Sequence, residues 1–310
     1  MIRAIFLTII LLFAQSPHHS QDLTVTYKGK ILLKTGRSEL VNPLTSLIDR
    51  QKYHRFEEQV GRSVSKAPVN AKIDHQGAIV PSRTGYSLNH TSFKDRIYRY
   101  YFGEGSATVN APLLKTHPDV DEELLAHIRV QRIGHYITFF NSGNKNRAHN
   151  IHLAATALDN HVIFPNEIFS FNKTVGMRTR VKGYQSAPII VRGEYSEGIG
   201  GGICQVSTTL FNAADRAGLK IIERYSHSKR VAYVPDGRDA TVSWYGPDLR
   251  FKNTYNQPIL IRAFQYGGSV AFTLYSSDVI NIAPRRIPNA SKHLPKEIHQ
   301  PENKHSFIKS

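Results

Sequence analysis

Three consecutive glycines, Gly200-Gly201-Gly202, run into a segment whose small and apolar positions, Val206, Leu210, Ala213, Ala214 and Ala217, share one helical face from Ile203 onward. Such a stripe requires a helix buried along its length against a core, and Gly218 supplies the stop. Without Cβ atoms, the glycines let the backbone approach a ligand closely before the helix begins. Cys204, the only cysteine, therefore stands at the helix start. A single thiol allows no internal disulfide, so stability rests on packing.

The 310 residues suggest two domains, and a hydrophobic fraction of 40% is that of a globular chain. The patterning predicts an α+β protein. Gln21 to Leu33 alternates as a strand, and Pro43 to Val64 carries helical spacing. Pro68 to Pro81 reads as a hairpin, Asn89 to Phe102 as a helix and Ser106 to Pro112 as a strand. These form a small α+β module over residues 17–130. A second domain, 131–275, contains a helix over Arg147 to Leu158, short strands around Val162, Ile168 and Ala187, the Cys204 helix, and strands alternating with turns up to Tyr275. Residues 276–310, rich in Pro, Lys, His and Asn, show no periodicity and are expected to be a basic, disordered tail.

At the N-terminus, Arg3, an apolar run from Ala4 to Ala14, and small residues ending at Ser16 have the layout of a secretory signal over residues 1–16. The run is well short of the roughly 20 residues that span a bilayer, so contact with a membrane is expected only through an uncleaved signal segment. The formal charge of 40 − 24 = +16 attracts polyanions. For a secreted, extracytoplasmic chain these are anionic cell-wall polymers, and no nucleic-acid-binding fingerprint accompanies the charge.

Asn146-Arg147, Asn150-Ile151, Phe169-Ser170-Phe171-Asn172, Val175-Gly176, Gly200 to Leu210, Glu223-Arg224, His227-Ser228 and Asp239-Ala240-Thr241-Val242 resemble, in order, the motifs of the VanW family over roughly residues 130–265. Asn166 stands where that family usually has glycine. Ala67 to Ala71, Ile79-Val80-Pro81 and Gly85-Tyr86 are similar to the peptidoglycan-binding module that often precedes VanW domains. The resemblance implies a wall context, with peptidoglycan as partner and a link to glycopeptide (vancomycin) resistance.

Within that context the residues suggest cysteine chemistry. A helix N-terminus favours thiolate over thiol and can hold a developing oxyanion. A thiol nucleophile needs a base, for which His227 is the best placed, and an orienting acid. Asp239 and Asp248 compete for that role. If Lys229 to Val234 and Asp239 to Tyr245 paired as a hairpin around Pro235 to Arg238, Asp239 would lie over about 20 Å along the strand from His227. Asp248 would then sit beside it, so this register favours Cys204, His227 and Asp248, with Asp239 holding the turn. The order of helix Cys, strand His and strand Asp resembles a transglutaminase-like core of one helix followed by antiparallel strands. It implies an amidase or transpeptidase type of acyl transfer, with no cofactor. Gly200, Gly201, Gly202, Gln205, Gln185 and Arg178 are candidate substrate contacts, the two glutamines as oxyanion donors and Arg178 as a carboxylate or phosphate contact. His149, His152 and His161 lack a carboxylate at a familiar metal-site spacing, so no metal site is expected. The alternative is a wall-binding scaffold in which Cys204 is structural.

Overall fold

The computed structural model describes residues 22–191 and 194–292; the signal-like segment and residues 293–310 lie outside them. In chain order the elements are β1 (Asp22–Tyr27), β2 (Lys30–Gly36), α1 (Arg50–Val64), β3 (Lys72–Ile73), β4 (Ile79–Val80), β5 (Gly85–Leu88), α2 (His90–Phe102), β6 (Ala107–Asn110), β7 (Leu113–Thr116), α3 (Glu122–Ile128), β8 (Gln131–Phe139), α4 (Lys145–Leu158), β9 (His161–Ile163), β10 (Ile168–Ser170), α5 (Phe171–Val175), β11 (Ser186–Val191), β12 (Glu194–Ile199), α6 (Ile203–Arg216), β13 (Lys220–Glu223), β14 (Arg250–Lys252), β15 (Ile259–Tyr266) and β16 (Ser269–Ser276). The fold is α+β.

One unit comprises described residues 22–70 and 82–119. Its sheet has the order β2-β1-β6. The single strand expected from Gln21 to Leu33 is instead a hairpin, because Lys28 and Gly29 both take positive φ, the geometry of a tight two-residue turn. Helix α1 begins at Arg50, later than the helical spacing from Pro43 suggests, because the Asp49 side chain accepts from the backbone N–H groups of Gln51 and Lys52 and caps it there. Its buried Tyr53, Phe56 and Val60 meet Phe93 and Ile97 of α2 and Leu23 and Val25 of β1. The Phe56 and Phe93 rings stack at 5.8 Å.

The other unit comprises residues 71–81 and 120 onward. The β3/β4 hairpin and α3, expected in the first module, belong here. They pack Ala71, Ile73, Leu125 and Ile128 against Val162 and Leu260. The main sheet is antiparallel, ordered β8-β16-β15-β9. Leu260 faces α3 while its neighbours Ile259 and Ile261 join the core with α4 and α6, as the period of two in a strand requires. Both faces of the sheet are thus covered.

Helix α6 is buried nearly all round, including Gln205, Ser207, Thr208, Thr209 and Asn212. The turn into it is fixed by Asn150 of α4, which is fully buried. The Asn150 amide donates to the carbonyls of Gln185 (2.9 Å) and Gly201 (3.0 Å) and accepts from the Gln185 N–H (2.8 Å). A Cβ on Gly201 would lie 2.5 Å from the Ala187 carbonyl oxygen, and Gly202 takes φ 104°. The glycines therefore serve close approach to the chain's own backbone.

The tail expected from residue 276 is ordered as far as residue 292. Ile280 is buried, with Ile282, Ile287 and Ala290 packed against the same core. Arg216 donates to the Ile287 carbonyl and Asn289, and Arg285 pairs with Asp215 at 2.6 Å. The composition is polar, but isoleucines spaced among the prolines supply enough apolar surface to dock an irregular segment.

Removing the Asn150 amide takes three hydrogen bonds from the entry to α6, among them the buried bond to the Gly201 carbonyl. Asn150→Ala is expected to lower the stability of this unit by about 3 kcal/mol. Urea unfolding followed by the fluorescence of Trp244, the sole tryptophan, measures it.

Candidate active site

The strands expected to carry His227 and the acids do not form. Residues 227–247 make turns and irregular backbone, and the pairing that occurs is an isolated bridge of Tyr225 to Thr241. The expected register set Tyr225 opposite Asp248. The observed one shifts the second segment by seven residues and brings Asp239 to His227.

This register comes from α6. The Asn212 amide donates to the Arg238 carbonyl (2.8 Å), the Ser207 and Thr208 hydroxyls donate to the Ala240 carbonyl (2.6 and 3.3 Å), and the Ala240 N–H donates to the Thr208 hydroxyl (2.9 Å). The Cys204 sulfur lies 3.5 Å from the Val242 carbonyl, to which the thiol donates, and 3.6 Å from the Thr241 hydroxyl. Helix positions 212, 208 and 204 thus match extended positions 238, 240 and 242. Four helical residues rise about 6.0 Å and two extended residues about 6.6 Å, so the two runs stay in step. A polar stripe on α6 acts as the neighbouring strand for the Asp239 motif.

One oxygen of Asp239 accepts both the His227 backbone N–H and its ring Nδ1, each at 2.6 Å. Arg224 donates through Nε to the Asp239 carbonyl (2.7 Å) and through a terminal nitrogen to the Ser226 hydroxyl and the Gly237 carbonyl. The Arg224 and Arg238 guanidinium groups lie 5.2 and 4.7 Å from the centre of the Phe211 ring, tying the loop to the helix. With Nδ1 held by Asp239, the ring's other nitrogen is left for the Cys204 thiol, which is within hydrogen-bonding reach of the imidazole. The His227 side chain is 6% exposed, and Cys204 is half-buried.

Burial pushes the Cys204 thiol up, but the hydrogen bond and positive charge of His227 outweigh it and hold the thiol below its usual range. Burial likewise lowers His227, and its bonds to Cys204 and Asp239 reverse the effect and raise it. Asp239 is also opposed by burial and held low by the His227 backbone and ring. These directions favour a thiolate and imidazolium pair oriented by a carboxylate. Gly202, at the N-cap of α6, offers no side-chain cap, leaving the positive end of the helix dipole beside the sulfur.

Asp248 is placed elsewhere. Its oxygens accept from the Ser170 hydroxyl (2.6 Å) and from the backbone N–H groups of Asn172 (2.9 Å) and Leu249 (2.8 Å). It fixes the β10 to α5 corner, where Phe169 stacks on Phe251 at 4.6 Å. Asn166 takes φ 66°, a left-handed conformation that asparagine tolerates better than most residues, so it can stand where the resemblance leads one to expect glycine.

Gln205 is not placed as an oxyanion donor. Its amide nitrogen donates to Thr138 and the Phe139 carbonyl, both at 3.0 Å, while its oxygen accepts from Arg147 at 2.7 Å. Gln185 is exposed and is tied to Asn150 and Gly200 through its backbone. Gly200, Gly201 and Gly202 pack against Arg178, β11 and α4 and shape the helix entry. The His149 ring nitrogen lies 3.0 Å from the Gly183 carbonyl, and the His161 ring packs edge-on against Phe169.

Tyr233 was not singled out by sequence because Val231 to Val234 reads as an ordinary strand. Its phenol is held well above the usual tyrosine range by burial and by the negative field of Cys204, with Thr208 as hydrogen-bond partner. The phenol therefore lies within electrostatic reach of the thiol. Arg147, part of the Asn146-Arg147 motif, bonds to Gln205 and so ties α4 to the first turn of α6.

Comparison with known proteins identifies the family. The chain belongs to the VanW-like family: the model of that family, described as VanW like protein, matches residues 146–275, and near-full-length similarity supports it. The chain is 56% identical over 296 residues to the protein named Uncharacterized protein YoaR of Bacillus subtilis (strain 168), covering 95% of this chain and 98% of that one. It is also 32% identical over 114 residues to Vancomycin B-type resistance protein VanW of Enterococcus faecalis (strain ATCC 700802 / V583), covering 35% of this chain and 42% of that one. No solved structure matches the chain.

The reversed pair has a measurable consequence. Alkylation of Cys204 by neutral iodoacetamide is expected to reach half its maximal rate below pH 8.5, about the midpoint of a free cysteine. His227→Ala should move that midpoint upward and Asp239→Asn should move it the same way by less. Asp248→Asn should lower the melting temperature and leave the midpoint in place. An unchanged midpoint in His227→Ala would refute the pairing.

Proposed function

We propose that the protein is an exported, wall-associated enzyme that transfers or hydrolyses acyl groups of peptidoglycan amides through Cys204, His227 and Asp239. The observation that carries this reading is the 2.6 Å contact of the His227 ring with Asp239, made while the same imidazole reaches the thiol at the start of α6. Nucleophile, base and orienting acid in this relation perform acyl transfer on unrelated folds.

In the first step the Cys204 thiolate attacks the amide carbonyl, and a C–S bond forms. The C–N bond then breaks as the His227 imidazolium gives its proton to the departing amine. In the second step His227 takes a proton from water or an acceptor amine, which attacks the thioester. The sulfur leaves as thiolate, and the product is a carboxylic acid or a new amide. Asp239 keeps the ring oriented and stabilises its charged form throughout.

The wall as substrate is supported by the signal-like N-terminus, by the net charge of +16, which suits attachment to anionic polymer, and by the relative named for vancomycin resistance. Glycopeptide resistance is the setting in which such an activity would act.

Wild-type protein, Cys204→Ala and Cys204→Ser are compared on purified peptidoglycan, with muropeptides followed by mass spectrometry. The wild type is expected to release or newly cross-link muropeptides, and each variant to lose that activity by about 1,000-fold or more. Wall binding by all three proteins, with products from none, would replace the enzyme with a wall-binding scaffold.

A further inference from the structure

We propose that Arg178 is a specificity-determining residue that receives a free carboxylate of the substrate, close to the carbonyl attacked by Cys204. This rests on the acyl-transfer reading above and names the class of its substrate: amides with a carboxylate a few bonds from the reacting carbon.

The Arg178 stem packs against the glycine turn: its Cβ and Cγ lie 3.3 and 3.6 Å from where a Cβ on Gly200 would stand. That turn leads directly into α6 and Cys204, so the backbone that positions the thiol also positions Arg178. The guanidinium lies 5.9 Å from the centre of the Phe171 ring and makes one long hydrogen bond, 3.3 Å, to the Gly176 carbonyl. A guanidinium carries five N–H donors, and among the described residues no carboxylate lies within ion-pair distance of it. Asp248 contributes to its electrostatic surroundings, but both oxygens of Asp248 are taken up by Ser170, Asn172 and Leu249. The chain thus holds a partly buried cation near the thiol while directing the neighbouring carboxylate to other donors. Burial lowers the guanidinium from its usual range, and the Cys204 field is the first of those that oppose it, which places the two groups within each other's electrostatic reach. Paired donors of this shape suit a planar carboxylate.

The test uses two alkylating reagents of similar size, iodoacetate and iodoacetamide, on the purified chain and on Arg178→Met and Arg178→Lys. The neutral reagent reports thiol reactivity, and the ratio of the two rates isolates carboxylate recognition. The expected result is an iodoacetate to iodoacetamide ratio above that of glutathione. Arg178→Met should lower it about tenfold, and Arg178→Lys should retain part of it. Fast reaction with both reagents and an equal ratio in wild type and Arg178→Met would overturn the carboxylate site while leaving the acyl-transfer reading intact. If neither reagent reacts faster than with an unactivated thiol, the acyl-transfer reading fails and this inference with it. Should Arg178→Met not fold, the wild-type ratio decides: one no higher than that of glutathione overturns the proposal.

Discussion

The buried amide of Asn150 is the fastening on which the second unit depends. A helix start inside a core exposes unpaired N–H groups on one side and strains the entering chain on the other. Here α4 supplies one side chain that bonds the chain both before and within the glycine turn, through Gln185 and Gly201. Its three bonds determine where α6 begins, and so where Cys204 stands relative to the main sheet. The glycines then work as a consequence of that anchor, since the turn is pressed against Ala187 so closely that a side chain at Gly201 would not fit.

From that fixed start, α6 organises the loop that carries the other two residues of the site. Carbonyls at alternate positions of an extended segment point the same way, and those of Arg238, Ala240 and Val242 meet Asn212, Thr208 and Cys204 in turn. Asp239 falls between them, and its carboxylate meets His227. The helix polar stripe thus does the work that a strand partner would do, which is why an irregular loop can place a carboxylate without a hairpin. Asp215 adds a further anchor by pairing with Arg238 at 2.7 Å and with Arg285 at 2.6 Å, so the segment after β16 helps to hold the same face.

Much of this was legible in the sequence. The helices over 90–102, 145–158 and 203–216 follow from apolar spacing: the first two bury one face, and the third carries an apolar stripe although its polar side is buried as well. The docking of Ile280 and Ile287 was not legible, because a segment without periodicity gives no signal for packing that depends on irregular backbone. Of the two acids that compete in the sequence, the structure sets Asp239 against His227 and Asp248 at the β10 to α5 corner. The hairpin around Pro235 to Arg238 satisfied local turn chemistry, while the competing signal was the spacing of Cys204, Thr208 and Asn212 at every fourth residue. That stripe is polar and buried, so a search for apolar faces passes over it, although three polar positions at helical spacing inside a buried helix need partners.

The two acids show why the chemistry follows the bonding more than the burial. Asp239 and Asp248 are buried to nearly the same degree, 7% and 9% exposed. Asp248 is satisfied by a hydroxyl and two backbone N–H groups, none of which titrates in the working range, so its charge is committed to holding a corner. Asp239 gives one oxygen to an imidazole whose charge changes in the proposed acyl transfer, with the His227 backbone N–H and a longer, 3.5 Å contact from Arg224 holding the carboxylate in place. A carboxylate fixed by partners that do not titrate can respond electrostatically to the one partner that does. Asp239 meets that condition and Asp248 does not.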